Sequence, residues 1–505
     1  MSEKQFSTFE QLLLSREKTV IILLCVVAVA RVLVFSAAFP LFNNVDEPQH
    51  VDMVMKYAAG HPPSGIEPYL DTTIALVAYC GSSEYLTTRE SIEAVGLERP
   101  PSETGNESAV VRADAQIAQM EEMINPESTE PPLYYTAAGL WYRLGELLVS
   151  NQAKLVYWTR LLNAPILALT TLVSWAFIRR YLPQNVFVRF GAPFVVALMP
   201  QDLFYGVNNC VLSALLGAIT LYLAGLIYAG DPSWRTCMAA GLAAAASFLT
   251  KTTNAPVVAM LGAIVLIKLW SMRGTRNSVF FVRLLAVVAI CTALPVGAWM
   301  ARNIRIFGDA MAYKQRIRVM DWTPVPLLER WHHPIFTPAG VSTFYKDLAK
   351  TAWRGEFYWY GTEHAAHWID WFYPASTAIF LLVAAIWVTR SWKRLSREAM
   401  WAYAASAGTA LVLTGMLAWL SVSYNYGTCM SPSVSHPYFS GSRLIYAGLA
   451  PFIVLYLTGM NALLGAMRLR RFRWVLLMLM MATITVSEIA ISTPVFRSNY
   501  NLFHM

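Results

Sequence analysis

Eleven apolar segments, most of them close to membrane length, constrain this chain more than any other feature. They cover residues 19–39, 157–178, 189–203, 208–229, 236–249, 254–270, 280–299, 371–389, 400–422, 444–465 and 474–492, with those at 189–203 and 236–249 short. A bilayer core offers no water to unpaired backbone groups, so runs of about 20 apolar residues cross it as helices. Composition agrees. The 505 residues are 56% hydrophobic and 14% charged, with mean hydropathy +0.43, whereas soluble domains carry about 25% charged residues. The expectation is an all-α polytopic membrane protein with about 11 transmembrane helices (range 10–13), juxtamembrane helices and two large external loops.

Residues 133–150 are also hydrophobic, but Arg143 and Glu146 fall in the middle of the stretch. Charges are expensive at the bilayer centre, and a crossing there would invert everything downstream. The segment is therefore predicted to be a juxtamembrane helix on the outer surface.

Charge sets the orientation. Residues 40–130 contain sixteen Asp and Glu against four Lys and Arg, a net of −12, within a chain of net charge +8. The loops at 179–189, 272–283 (Arg273, Arg276, Arg283), 390–397 and 468–473 are basic, as cytoplasmic loops are. This places the N-terminus inside, and residues 40–130, 300–370, 424–443 and the C-terminus outside. The basic excess reads as topology, and no nucleic-acid partner is expected. The first apolar run is too long for a cleaved signal peptide and reads as a retained anchor in a cytoplasmic (inner) membrane. Six cysteines show no metal-like spacing; Cys80 and Cys429, both external, are candidates for a disulfide or for two free thiols. No internal repeat is evident.

Asp46-Glu47-Pro48-Gln49-His50 stands where the first span leaves the bilayer. Adjacent carboxylates diverge in an extended segment, so one can face a substrate while the other orients a neighbour or a metal. Pro48 suits the first turn of a helix running through His50 to Lys56. A carboxylate here can act as general base; the plainer reading is a helix cap. Glu130-Pro131-Pro132 introduces the juxtamembrane helix, whose Tyr134 and Tyr135 suit a headgroup region. Three cations fall on the same external face: Lys251 between two short apolar segments, Arg302 at the end of a span, and Arg443 entering the penultimate span. Each has the charge to hold a phosphate, and Lys251 equally reads as a snorkelling lysine. His364 and His367 have the spacing of a metal pair or of surface packing. Arg31 lies within the first span and needs a partner that the sequence does not name.

In order and topology these motifs resemble the GT-C superfamily of membrane glycosyltransferases, which includes protein O-mannosyltransferases and lipid A aminoarabinose transferases. The nearest likeness is to a bacterial membrane family with Asp-Glu-Pro-x-His after its first span. The matching positions are Asp46–His50, Pro131–Tyr135, the Leu-Thr-Lys ending at Lys251, Arg302-Asn303 with Gly308-Asp309, and Gly441 to Arg443. Two departures stand out. Asn208-Asn209 is followed by Cys210 rather than an acid, and Ser440-Gly-Ser-Arg443 replaces Gln-Gly-Arg-Tyr.

The resemblance implies a GT-C-like module over 1–370, of about seven spans, followed by a variable membrane region at 371–505. It implies transfer of a sugar from a polyprenyl-phosphate donor to a glycan, lipid or protein acceptor, with inversion. In that scheme Asp46 and Glu47 are the catalytic carboxylates, as base or as ligands for a divalent metal (Mg or Mn). His50 and Glu130 support them, and Lys251, Arg302 and Arg443 bind the donor phosphate. Two other functions fit the same pattern: a polysaccharide polymerase or ligase using a diphosphate-linked glycan, and a lipid-sugar transporter or flippase.

Overall fold

The computed structural model describes residues 7–104, 106–200, 202–230, 232–272, 278–429 and 431–504. Each of the eleven apolar segments coincides with a helix: Glu17–Ala38, Asn163–Tyr181, Val186–Leu198, Cys210–Ala229, Trp234–Thr250, Ala255–Ser271, Ser278–Phe307, Phe372–Ser391, Arg397–Ser423, Leu449–Ala466 and Arg473–Arg497. Among the described residues, nine helical stretches are long and apolar enough to cross a membrane. Val186–Leu198, with 13 residues, is the shortest of these and at 1.5 Å per residue rises only about 20 Å, while Trp234–Thr250 and Ala255–Ser271 have 17 residues each. Strand structure among the described residues is limited to two antiparallel pairs of two-residue strands, Thr323–Pro324 with Tyr424–Asn425 and Tyr358–Trp359 with Thr362–Glu363.

Contacts between distant connections gather them at two ends of the bundle. One end holds basic turns and the N-terminal helix Thr8–Ser15. There Glu17 accepts from Arg189 Nε at 2.6 Å and Nη2 at 2.5 Å, and Glu10 pairs with Arg473. Arg273 and Arg276 of the expected basic loop lie outside the described residues. The other end holds both large loops. In the first, buried Asp52 accepts from the Leu70 amide at 2.8 Å, Thr73 Oγ1 at 3.1 Å and Asn125 Nδ2 at 2.8 Å, and pairs with Lys56 at 2.8 Å. These bonds fold an acidic loop onto the bundle.

The stretch expected to lie along the surface forms the helix Leu133–Glu146. Its buried face (Tyr134, Tyr135, Ala138, Tyr142) packs along Glu47–Ala58, while Leu140, Leu144, Leu147 and Leu148 remain exposed. A Cβ at Gly139 would lie 2.9 Å from the Ala58 amide nitrogen, so this close crossing requires glycine.

Arg31 finds its partner in the last span. Its Nη2 lies 2.5 Å from both carboxylate oxygens of Glu488, which also accepts from the Tyr205 hydroxyl at 2.7 Å. All six cysteines are free thiols, Cys80 and Cys429 included.

Candidate active-site cleft

Asp46 takes up a left-handed backbone conformation, φ 62° and ψ 11°. Aspartate tolerates this region better than most residues, yet a non-glycine residue there still costs of order 1–3 kcal/mol. The turn sends two consecutive carboxylates in opposite directions.

Glu47 turns inward and is fully buried. Arg160, equally buried, donates from Nε and Nη2 to its two oxygens at 2.7 Å. The amides of Phe42 and Val207 donate to the same oxygens at 3.0 Å. The rest of the guanidinium donates to the carbonyls of Ser36, Phe39 and Pro40 at 3.0, 2.5 and 2.8 Å. Four donors occupy the roughly four acceptor sites of a carboxylate. Glu47, expected beside Asp46 as a catalytic or metal-binding group, is instead the anchor that ties the exit of the first span to the helix Gln152–Arg160.

Asp46 turns outward. It occupies the N-cap position of Glu47–Ala58, but its side chain makes no capping bond. Arg443 Nη2 donates to Asp46 Oδ2 at 3.0 Å, and Arg443 Nη1 pairs with Glu356. Asp202, which opens the short 3₁₀ turn Asp202–Tyr205, accepts the Glu356 amide hydrogen on Oδ2 at 3.1 Å. Asp202, Glu356 and Arg443, with Asn44, Asn208, Thr351, Ser442 and Tyr446, line a small polar cleft, to which Asp46 is joined through Arg443. Burial, reinforced by the Glu356 carboxylate, pushes the Asp202 carboxyl up to about 6.

Glycines make room for these groups. A Cβ at Gly206 would lie 2.6 Å from Asn44 Nδ2, one at Gly441 would lie 2.8 Å from Glu356 Oε1, and one at Gly355 would overlap Asp202 Oδ1. Gly355 also has φ +76°, a second reason for glycine there.

A separate buried network holds most of the other expected site residues. His50 Nδ1 lies 2.8 Å from the Tyr135 hydroxyl, which donates to Glu127 at 3.0 Å and accepts from Asn209 at 3.3 Å. Lys251 donates to Asn209 Oδ1 at 3.1 Å and lies 3.7 Å from Glu130. Arg316 pairs with Glu130 and lies 3.5 Å from Glu127. Burial alone would raise the Glu130 carboxyl, but Arg316 and Lys251 outweigh it and hold it below the usual range. Burial keeps His50 below its ordinary value, against the opposing pull of Glu127.

Lys251, expected at the donor phosphate, is thus neutralised within the protein. Arg302 ties its span to the first loop, pairing with the Pro63 carbonyl and donating to Asn303 Oδ1 at 3.4 Å. Of the three expected cations, only Arg443 lines the cleft.

Sequence reasoning missed Arg160, Glu127 and Arg316 and gave no role to Asp202 or Glu356. A signal existed for Arg160, because an arginine at the head of an apolar span calls for a buried acid. Among the described residues, no group of three or more His, Cys, Asp or Glu is placed to hold a metal ion. With Glu47 saturated by Arg160, the Asp46–Glu47 pair does not fit a divalent cation. His367 is 82% exposed at 3.7 Å from Asp370, and His364 lies against the Phe357 ring.

The family model described as "Predicted membrane protein (DUF2142)" matches residues 29–426. No curated protein and no solved structure matches the chain.

Proposed function

The chain belongs to the DUF2142 family of membrane proteins, and from its cleft we propose that it is a glycosyltransferase of GT-C type. It moves a sugar from a polyprenyl-phosphate donor to a hydroxyl of a glycan, lipid or protein acceptor, on the external face of the cytoplasmic membrane. One observation carries the reading: Asp46 and Arg443, 397 positions apart in sequence, meet at 3.0 Å beside a polar cleft at the end of an apolar bundle. A carboxylate and a cation side by side are the two groups that this transfer needs.

The chemistry balances without a metal. The acceptor hydroxyl gives its proton to Asp46 as its oxygen bonds to the anomeric carbon. The anomeric C–O bond to phosphate breaks on the opposite side, and its electron pair leaves with the phosphate. Single displacement inverts the centre. When the donor binds, Arg443 Nη2 exchanges Asp46 for the departing phosphate, where negative charge grows, and Asp46 is freed to accept the proton. Glu356 holds the guanidinium from the other side. Glu47 is a positioning residue: its bonds to Arg160, Phe42 and Val207 fix the turn that presents Asp46.

The test uses purified protein in liposomes with polyprenyl-phosphate-linked sugars. Asp46→Asn keeps the left-handed turn within reach of the side chain and removes the base. Transfer is expected to fall by about 10²–10⁴-fold, with donor affinity nearly unchanged. Arg443→Ala is expected to weaken donor binding itself. Full transfer by Asp46→Asn, or unchanged donor affinity in Arg443→Ala, refutes the assignment.

A further inference from the structure

The segment between Pro326 and Phe336 leaves an unusual amount of apolar surface uncovered. Leu327 is 63% exposed, Leu328 82%, Trp331 68% and Phe336 51%. Trp331 and Phe336 lie against each other at a tilt, with ring centroids 5.1 Å apart. These side chains follow one another in a stretch punctuated by Pro324, Pro326 and Pro334, too short to bury them in a core of its own.

What lies beneath the segment points to its partner. Buried Ile335 packs with Leu417 and Val422 of the span Arg397–Ser423. The Arg330 guanidinium sits 4.6 Å above the ring of Trp419 on the same span. Trp419 is four residues from the end of that helix, about 6 Å below its tip at 1.5 Å per residue. That is the level at which tryptophan collects at membrane surfaces. The face of the span that carries Trp419, Leu411 and Val412 is itself exposed and apolar, as a lipid-facing surface must be. The uncovered side chains of the segment continue that surface, and Arg330 and Glu329 beside them suit the headgroup layer.

We propose that Leu327–Phe336 is a membrane anchor seated in the headgroup and upper acyl-chain region of the leaflet at the cleft end of the bundle. Its apolar side chains are solvated by lipid, not by a second protein surface. The anchor is coupled to the cleft. Thr337, immediately after it, caps the helix Pro338–Arg354, and the far end of that helix delivers Thr351, Gly355 and Glu356 to the cleft wall. A 17-residue helix thus joins the lipid-seated segment to the groups around Arg443. The bilayer thereby sets the height of the cleft above the acyl chains. This inference does not depend on which reaction the cleft performs.

The experiment places a nitroxide spin label at Leu328→Cys or, in a second protein, at Trp331→Cys. The full chain is used with Cys80 and Cys429 changed to serine, reconstituted in nanodiscs of phosphatidylcholine and phosphatidylglycerol. Label at Glu103→Cys, on the exposed first loop, is the aqueous control. Membrane seating predicts that labels at 328 and 331 relax faster with oxygen than with a water-soluble nickel chelate, while the label at 103 shows the reverse order. Both positions are exposed, so neither substitution removes core packing. Preference for the nickel chelate at 328 and 331 overturns the proposal. Exclusion of both reagents, with label–label broadening that reports a second copy, overturns it in favour of a protein interface.

Discussion

Asp202 is the residue on which the electrostatics of the cleft turn. Arg443 already faces two carboxylates, Asp46 and Glu356, and an ionised Asp202 adds a third negative charge to that excess. A phosphate arriving at Arg443 meets that excess. Burial and the Glu356 carboxylate raise Asp202 to about 6, against the opposing pull of the Glu356 and Leu203 amides and of Arg443. The sign follows directly. Above pH about 6 Asp202 is charged and adds to the repulsion of the donor, and below it the group is neutral and that contribution is lost. A polyprenyl-phosphate-linked sugar is a phosphodiester whose own charge is constant over this range. Its affinity is therefore expected to rise as pH falls from 7.5 to 5.5. Asp202→Asn is expected to bind with the higher affinity at both values, with a flat profile. Equilibrium binding to protein in nanodiscs checks this, and a slope that persists in Asp202→Asn assigns the titration elsewhere.

At the level of elements, the Glu47–Arg160 pair joins the first span, the helix Glu47–Ala58 and the helix Gln152–Arg160 at one buried point. Removing one partner of such a pair strands a desolvated charge, typically at 3–5 kcal/mol. Arg160→Met is expected to lower the stability of the detergent-solubilised protein by about that amount. Adding Glu47→Gln to it should cost less than the sum of the two single changes, because the stranded charge is gone. Denaturation of the four proteins in the cycle measures the coupling, and additive losses would show that the pair acts independently. This element-level pairing is also where sequence reasoning ran out. Apolar length located the helices, and Leu133–Glu146 is a helix of 14 residues packed along Glu47–Ala58, because such patterns depend on residues near one another in the chain. Partners are different. Glu47 meets Arg160, Lys251 meets Glu130, and Asp46 meets Arg443 across separations that no local pattern encodes. Lys251 and Arg443 look alike as external cations in sequence and both face carboxylates; what separates them is place, Lys251 within the buried network of Glu130 and Arg443 on the cleft wall.

For the whole molecule, the uneven charge of its two ends and the placement of the N-terminal helix and of Ser498 at opposite ends make one joint prediction. The basic turns around Arg179, Arg189, Arg394 and Arg471 share an end with the N-terminal helix, while the acidic first loop and the cleft share the other. The chain follows the helices from the first end to the second and finishes, after Arg497, beside the first loop, where Ser498 bonds to Glu84. Arg31 and Glu488 lock the first and last spans side by side, so neither can reverse without stranding a buried charge. Retention of basic loops in the cytoplasm then puts the cleft outside. Fusions truncated at two positions read this out. Joined after residue 395, green fluorescent protein is expected to fluoresce and alkaline phosphatase to be inactive; joined after residue 504, the reverse is expected. The reversed pattern, with alkaline phosphatase active after residue 395 and green fluorescent protein fluorescent after residue 504, would put the cleft on the cytoplasmic side. That result would deny an external glycosyl transfer while leaving the geometry of Asp46 and Arg443 intact.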